Sequence, residues 1–257
     1  MGLEREQLVP KDNSWNRFFS QKWPNFFLRC ALMALGVMIV GVGIAFAKYS
    51  TTGTSPISCI PAVLSNYAAS LGYEHLTLGV LLFCMNMILV LAEILILRSR
   101  FKPIQLLQLP AVFVMSWATD FSMGFIVAIP LPDYFSQLAC VVLSVIIMSL
   151  GIFFEVKANV FMLPGEAIVT VISSVLKKPF ARCKVIFDTS LTLGGVLISL
   201  VLLGGLYGVR EGTIISAVFA GVVVKFWATV FSWVDSFLPP APVDVVPPII
   251  SSEETYL

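Results

Sequence analysis

The sequence predicts an all-α membrane protein with six transmembrane helices. These form two inverted three-helix repeats, each with a short re-entrant or interfacial helix. Three observations predict this. The 257 residues are 58% hydrophobic and only 12% charged, where soluble domains carry about 25% charged residues, and mean hydropathy is +0.94. Six windows are apolar over about 20 residues, the length that crosses a bilayer core as helix. The two halves of the chain also align at one constant offset of 108 residues, Val40 upon Met148, without a gap.

Taken in order, residues 1–26 are polar and aromatic, without the charged-then-apolar order of a cleavable leader. Glu6 stands where a myristoylation motif wants Ser or Thr. The first repeat, 27–130, has spans at 27–48, 77–97 and 104–129. The second, 131–236, has spans at 134–156, 184–207 and 212–234. Between the first two spans of each repeat lies a shorter apolar stretch, 56–70 (PISCIPAVLSNYAAS) and 164–176 (PGEAIVTVISSVL). At about 1.5 Å per residue, each is too short to cross a core of about 30 Å. Residues 237–257 are Pro-rich, lack Lys and Arg, and read as an extended tail.

The basic residues orient the chain. Arg5, Lys11, Arg17, Lys22 and Arg29 precede or open the first span. Arg98, Arg100 and Lys102 lie between the second and third, and Lys157, Lys177, Lys178, Arg182 and Lys184 between the fourth and fifth. If the short segments do not cross, all of these share one side, and only Lys48 and Arg210 fall on the other. That asymmetry places both termini in the cytoplasm. Within the repeat, Gly43 matches Gly151, Phe46 matches Phe154, Pro56 matches Pro164, Ser65 matches Ser173 and Lys102 meets Arg210. Three spans per repeat is an odd number, so the second half is inserted upside down. This is a recurring transporter architecture, with the site near the midplane between the halves.

Two segments, GTSPISCIPAVLSNYAASLG and LPGEAIVTVISSV with the CKVIFDTSLTLGGVLISLVLLGGLYGVREGTIISAVFAG that follows, carry a family likeness. The chain resembles the YczE/YyaS/YitT family of bacterial membrane proteins from about residue 30 to 230, and GGLYGVREGT is the most specific piece. It departs from the family pattern at Lys102-Pro103-Ile104, where Gly-Thr is more usual, and at Ile57-Ser58 after the Ser-Pro. The resemblance implies a bacterial inner membrane and a transport role, and leaves the solute open.

Candidate site residues follow from the cost of polar groups in lipid. Asp120 and Lys225 lie deep in spans three and six, where a charge costs at least about 2.5 kcal/mol. The 108-residue offset maps Lys225 onto Trp117, one turn from Asp120, so an ion pair is expected, either coupling transport or locking the two spans. Asn86 is a polar companion in the middle of span two, a solute contact or an interhelical hydrogen bond. The short helices begin at Ser55-Pro56 and Leu163-Pro164, with proline in the first turn. If they re-enter, their positive ends meet at the protein centre and hold a polar or anionic group. If they lie on the surface, Ser55, Ser58 and Thr170 are merely the polar face of interfacial helices. Glu166, in the first turn of the second short helix, complements its dipole or holds a proton or cation. Glu93, Glu155 and Asp188 lie near the cytoplasmic ends and are expected to snorkel or pair with Arg98, Lys157 and Lys184; Asp188 also falls where the resembled family often has an acidic residue. Gly194, Gly195, Gly204, Gly205 and Gly221 are expected to allow close helix packing.

The five cysteines are scattered and His75 is the only histidine, so neither a metal centre nor a catalytic triad is expected. No nucleotide-binding or hydrolase motif is present. The reading is therefore a transporter of a small polar or anionic solute, with no cofactor, no enzymatic activity and no nucleic-acid partner. Its partners would be the lipid bilayer and the solute; self-association is left open. The rival readings are a membrane scaffold or assembly factor, and a passive channel of the same fold.

Overall fold

The computed structural model describes residues 26–98, 101 and 103–236. The two expected tails beyond these bounds, with Arg100 and Lys102, lie outside the described residues. Among these described residues eight α-helices follow in order: α1 Phe26–Tyr49, α2 Pro56–Ser70, α3 Leu78–Leu97, α4 Gln108–Ile126, α5 Tyr134–Ala158, α6 Pro164–Leu176, α7 Phe180–Leu203 and α8 Glu211–Val230. Two 3-10 turns, Pro103–Leu107 and Ser232–Ser236, flank α4 and α8, and there is no strand among the described residues. Six helices, α1, α3, α4, α5, α7 and α8, are long and apolar enough to cross a membrane.

Local chemistry sets the helix ends. Pro56 and Pro164 open α2 and α6, where the missing N–H is one the helix leaves unbonded anyway. The Thr77 side chain accepts from Val80 N–H at the start of α3. Asp133 and Ser136 form a reciprocal capping box at the start of α5. Asn159 ends α5 and Lys177 ends α6, both in the left-handed conformation. The fifth span sits about four residues earlier than its hydropathy window of 184–207. Pro179 precedes its first turn, and Gly204 stops it with φ 66°, a conformation glycine adopts without a steric cost.

The packing is centred on α1 and α5, which lie along one another; α1 also packs on α4, and α5 on α8. Half of the apolar window of α1 and of α5 is buried, against 17% for α7 and 11% for α8, so the first pair forms the middle and the last two form the rim. The α1–α5 seam is made of small residues. A Cβ on Gly43 would lie 2.8 Å from Met148, and one on Gly151 would lie 2.7 Å from Val40. On Gly36 it would lie 2.9 Å from the Gly151 carbonyl. Backbones this close maximise van der Waals contact where water provides no drive for helix association.

Around this pair, α2 packs on α3 and α7, and α6 packs on α7 and α3. The first turns of α2 and α6 meet, since a Cβ on Gly165 would lie 2.2 Å from Ile57 Cδ1. The halves differ at one place: α3 packs closely on α4, whereas no comparable contact joins α7 to α8. Gly79 lets α3 approach, as a Cβ there would lie 2.3 Å from the Ser116 carbonyl. Of the glycines expected to mediate packing in α7 and α8, Gly195 does so against Cys59 and Val209. Gly204 instead terminates a helix, and a Cβ on Gly221 would meet nothing within 4 Å.

Candidate solute site

Lys48, in the last turn of α1, has its ammonium folded against α2. It donates to the Ala62 carbonyl at 2.8 Å, to Ser65 Oγ at 2.9 Å and to Asn66 Oδ1. All three acceptors are neutral, so the hydrogen bonds hold the ammonium in place without cancelling its charge. It lines a cavity of about 290 Å³, together with Thr54, Asn66, Met123 and Tyr207. That volume lies at the low end for small-molecule sites and suits a solute of few atoms.

The segment leading from α1 into α2 is fixed by its own hydroxyls. Ser50 Oγ donates to the Ala47 carbonyl at 2.6 Å and lies 3.1 Å from Thr52 Oγ1. Thr51 and Gly53 adopt left-handed backbone. Gly53 sits where a Cβ would collide with Thr213 and the Arg210 amide. The Gly212 amide donates to the Thr52 carbonyl at 2.8 Å, which ties this segment to the start of α8. At the tip of α2, Ser58 Oγ lies 2.8 Å from Thr54 Oγ1 and 2.6 Å from Ser55 Oγ, all buried. Ser55 and Ser58 thus belong to one hydroxyl cluster beside the cavity, with Thr54 on its wall.

The other residues expected from the sequence are placed as follows. Asp120 does not reach toward Lys225. Its carboxylate accepts from Thr77 Oγ1 at 2.6 Å and from the Gly79 amide at 2.7 Å, so it caps the first turn of α3. Lys225 stands on the exposed side of α8. The offset that maps it onto Trp117 is respected, and Trp117 is exposed too, on the face of α4 away from the core. Asn86 is buried and donates within its own helix to the Leu82 carbonyl at 2.9 Å. Asp188 pairs with Lys184 at 3.0 Å, as expected.

Glu93 and Glu155 do not behave as snorkelling groups. Glu93 is fully buried and accepts from Gln105 at 2.5 Å and Gln108 at 3.2 Å rather than from Arg98. Glu155 is buried, and its Oε1 has no hydrogen-bond partner. Lys157, expected beside it, lies over the Phe153 ring at 5.8 Å. Glu166 is half-buried in the first turn of α6, where a carboxylate complements the helix dipole. Thr170 is buried and donates to the Glu166 carbonyl at 2.9 Å.

Sequence reasoning missed Lys48, treating it only as one of two basic residues on the far side. The signal was present: it closes a run of 21 residues, Phe27–Ala47, in which Arg29 is the single charge, directly before the polar segment that leads into the first short helix.

Helix content and the length and apolarity of six helices are compatible with a multi-pass membrane protein, and its polar residues converge beside a cavity. The chain belongs to a family of unknown function, DUF6198, whose model matches residues 27–229. No curated protein and no solved structure matches it.

Proposed function

We propose that this protein is a membrane transporter for a small anionic or polar solute, held beside Lys48, and that its halves are inverted repeats exchanging access to the two sides. The observation that carries the reading is the Lys48 ammonium. It lines a cavity with a charge that only neutral groups contact, and such a charge draws an anion out of water more strongly than any nearby dipole.

The repeat reading rests on pairs of contacts as well as on sequence. Gly43 against Met148 and Gly151 against Val40 are the same contact with the halves exchanged, each residue 108 positions from its counterpart. Ile57 and Gly165 are also 108 apart and touch each other, as counterparts do only beside a two-fold axis. The pairings α1 with α4 and α5 with α8, and likewise α2 with α7 and α6 with α3, follow the same exchange. In this reading α2 and α6 are re-entrant, with their proline ends at the centre. Both termini face the cytoplasm of a bacterial cell, in its inner membrane. Kinship with the YczE/YyaS/YitT proteins, carried by residues such as Gly204–Thr213, belongs to the same proposal.

Uptake into proteoliposomes, against a panel of small organic anions and neutral metabolites, tests it. Saturable uptake of an anion that Lys48→Met abolishes is the expected result. Uptake that survives Lys48→Met in a protein that still folds would remove Lys48 from the site.

A further inference from the structure

The side of the protein opposite Lys48 carries a different chemistry. Residues 108 positions from the cavity wall are Glu155 for Ala47 and Met162 for Thr54, while Glu166 and Thr170 stand where α2 has Ser58 and Ala62. Where one half offers hydroxyls and an ammonium, the other offers two carboxyl groups. Glu155 stands in the last turn of α5 and Glu166 in the first turn of α6, and only the five residues 159–163 join the two helices. Glu155 is more than nine-tenths buried, with 8% of its surface exposed, and its Oε1 has no partner. The backbone is built around it: a Cβ on Gly36 would lie 2.9 Å from Glu155 Cγ, so only glycine at that place on α1 lets the side chain lie where it does.

Charged groups stand on each helix packed against this pair: on α3, buried Glu93 accepts from Gln105 and Gln108, and on α7, Lys184 pairs with Asp188. From α1, Arg29 donates to the Ala158 carbonyl at 3.0 Å, one turn beyond Glu155. On α5 itself, Lys157 lies over Phe153. From α8, Lys225 stands on the exposed side. On α6, the Thr170 hydroxyl is engaged by the Glu166 carbonyl at 2.9 Å and faces Met162 Sδ at 3.6 Å.

We propose that Glu155 and Glu166 form a proton-binding site, with one proton held between a buried carboxyl group and its half-buried neighbour. A buried carboxylate with an unpartnered oxygen is costly, and a single proton removes the charge of Glu155 and supplies it with a hydrogen to donate. The step is a simple protonation: a proton from water adds to one carboxylate oxygen and leaves by the same route. Its role as the coupling ion rests on the transport reading above; its existence does not.

The test therefore begins without a solute. The full-length protein in detergent is examined by infrared difference spectroscopy across a pH titration. The expected result is the carbonyl stretch of a buried carboxylic acid that Glu155→Gln removes and Glu166→Gln removes or displaces. The second variant, at a half-buried position, keeps the test decisive if the first does not fold. A spectrum without such a band, or with a band unchanged in the variants, overturns the proposal. So does thermal stabilisation by sodium or potassium that is lost in Glu155→Gln while no carboxylic-acid band is seen, since the ion would then be a metal. In proteoliposomes that carry a solute, Glu155→Gln is expected to lose the uptake driven by a pH gradient and to keep solute–solute exchange. Failure of the whole panel with a positive infrared result would refute transport and leave the proton site standing.

Discussion

Gly165 on α6 presses its α-carbon against the side chain of Ile57 on α2, so that a Cβ on the glycine would fall 2.2 Å from Ile57 Cδ1. The two residues occupy the same position in their respective halves, the second residue of a helix that proline begins. This contact joins the tips of the two short helices. Gly165→Ala should therefore overpack the junction and cost about 1–3 kcal/mol. Adding Ile57→Ala should recover much of that loss, because the clash has a single partner. Thermal unfolding of the two single variants and the double variant in detergent measures the coupling.

The α1–α5 seam makes a sharper contrast. A Cβ on Gly151 would lie 2.6 Å from the Gly36 carbonyl and 2.7 Å from the Val40 amide, both backbone atoms that no rotamer change can move. Gly151→Ala should lower stability by about 1–3 kcal/mol. Gly124→Ala, on α4 with nothing within 4 Å of the new methyl, should raise it by a few tenths to about 1 kcal/mol through helix propensity. The same unfolding measurement should give shifts of opposite sign.

Asp120 is a cap rather than half of an ion pair, and its removal should show it. Asp120→Ala strips Thr77 Oγ1 and the Gly79 amide of their acceptor, at about 1–3 kcal/mol. Thr77→Ala should overlap with that loss, since the two side chains act on one helix start. Lys225→Met should add to Asp120→Ala independently, with a coupling below about 0.5 kcal/mol. A coupling of several times that size would restore the pair.

Orientation can be read with thiol reagents that do not cross membranes. In a chain whose five native cysteines are replaced by serine or alanine, Asp133→Cys should be labelled in intact cells. Lys178→Cys should be labelled only after lysis. The reverse pattern would turn the protein over, and with it the side from which the solute enters.

The start of α5 should respond to pH. The Asp133 carboxylate lies below the usual aspartate range, held there by hydrogen bonds from the Ser136 side chain and backbone. A group whose folded value is depressed stabilises most when ionised in both states. Its contribution is therefore full above the ordinary aspartate value of about 3.9 and fades as pH falls through the lower folded value. The stability difference between the parent chain and Asp133→Ala should be steady at neutral pH and shrink below about pH 4. A difference that grows on acidification would refute the assignment.

The spans were legible because each buries enough apolar length to be a helix whatever its neighbours do. The short helices were legible because Pro56 and Pro164 mark their starts and their lengths are too small to cross. What composition did not carry was the rotation of each helix about its axis. Asp120 and Lys225 read as partners because both are deep and the offset brings their positions together. Yet depth says nothing about which way a side chain points, and Thr77 and Gly79 are 41 or more residues from Asp120 in sequence. Glu155 read as a snorkelling group for the complementary reason. Its place near a helix end suggests an exit to water, but Gly36 on another helix opens a pocket that takes it inward.

The seam between α1 and α5 also bears on how the chain is made. On α1, Arg29 and Gly36 are covered by Ala158, Gly151 and Glu155, which leave the ribosome more than 100 residues later. At about 5–20 residues per second, α1 waits on the order of 10 s with a buried-type arginine and a glycine face still uncovered. Its first lasting partner is α4, through Gly41 against Met115 and Thr119. The first half can thus close on itself before the second exists, and α5 must then enter a groove already formed.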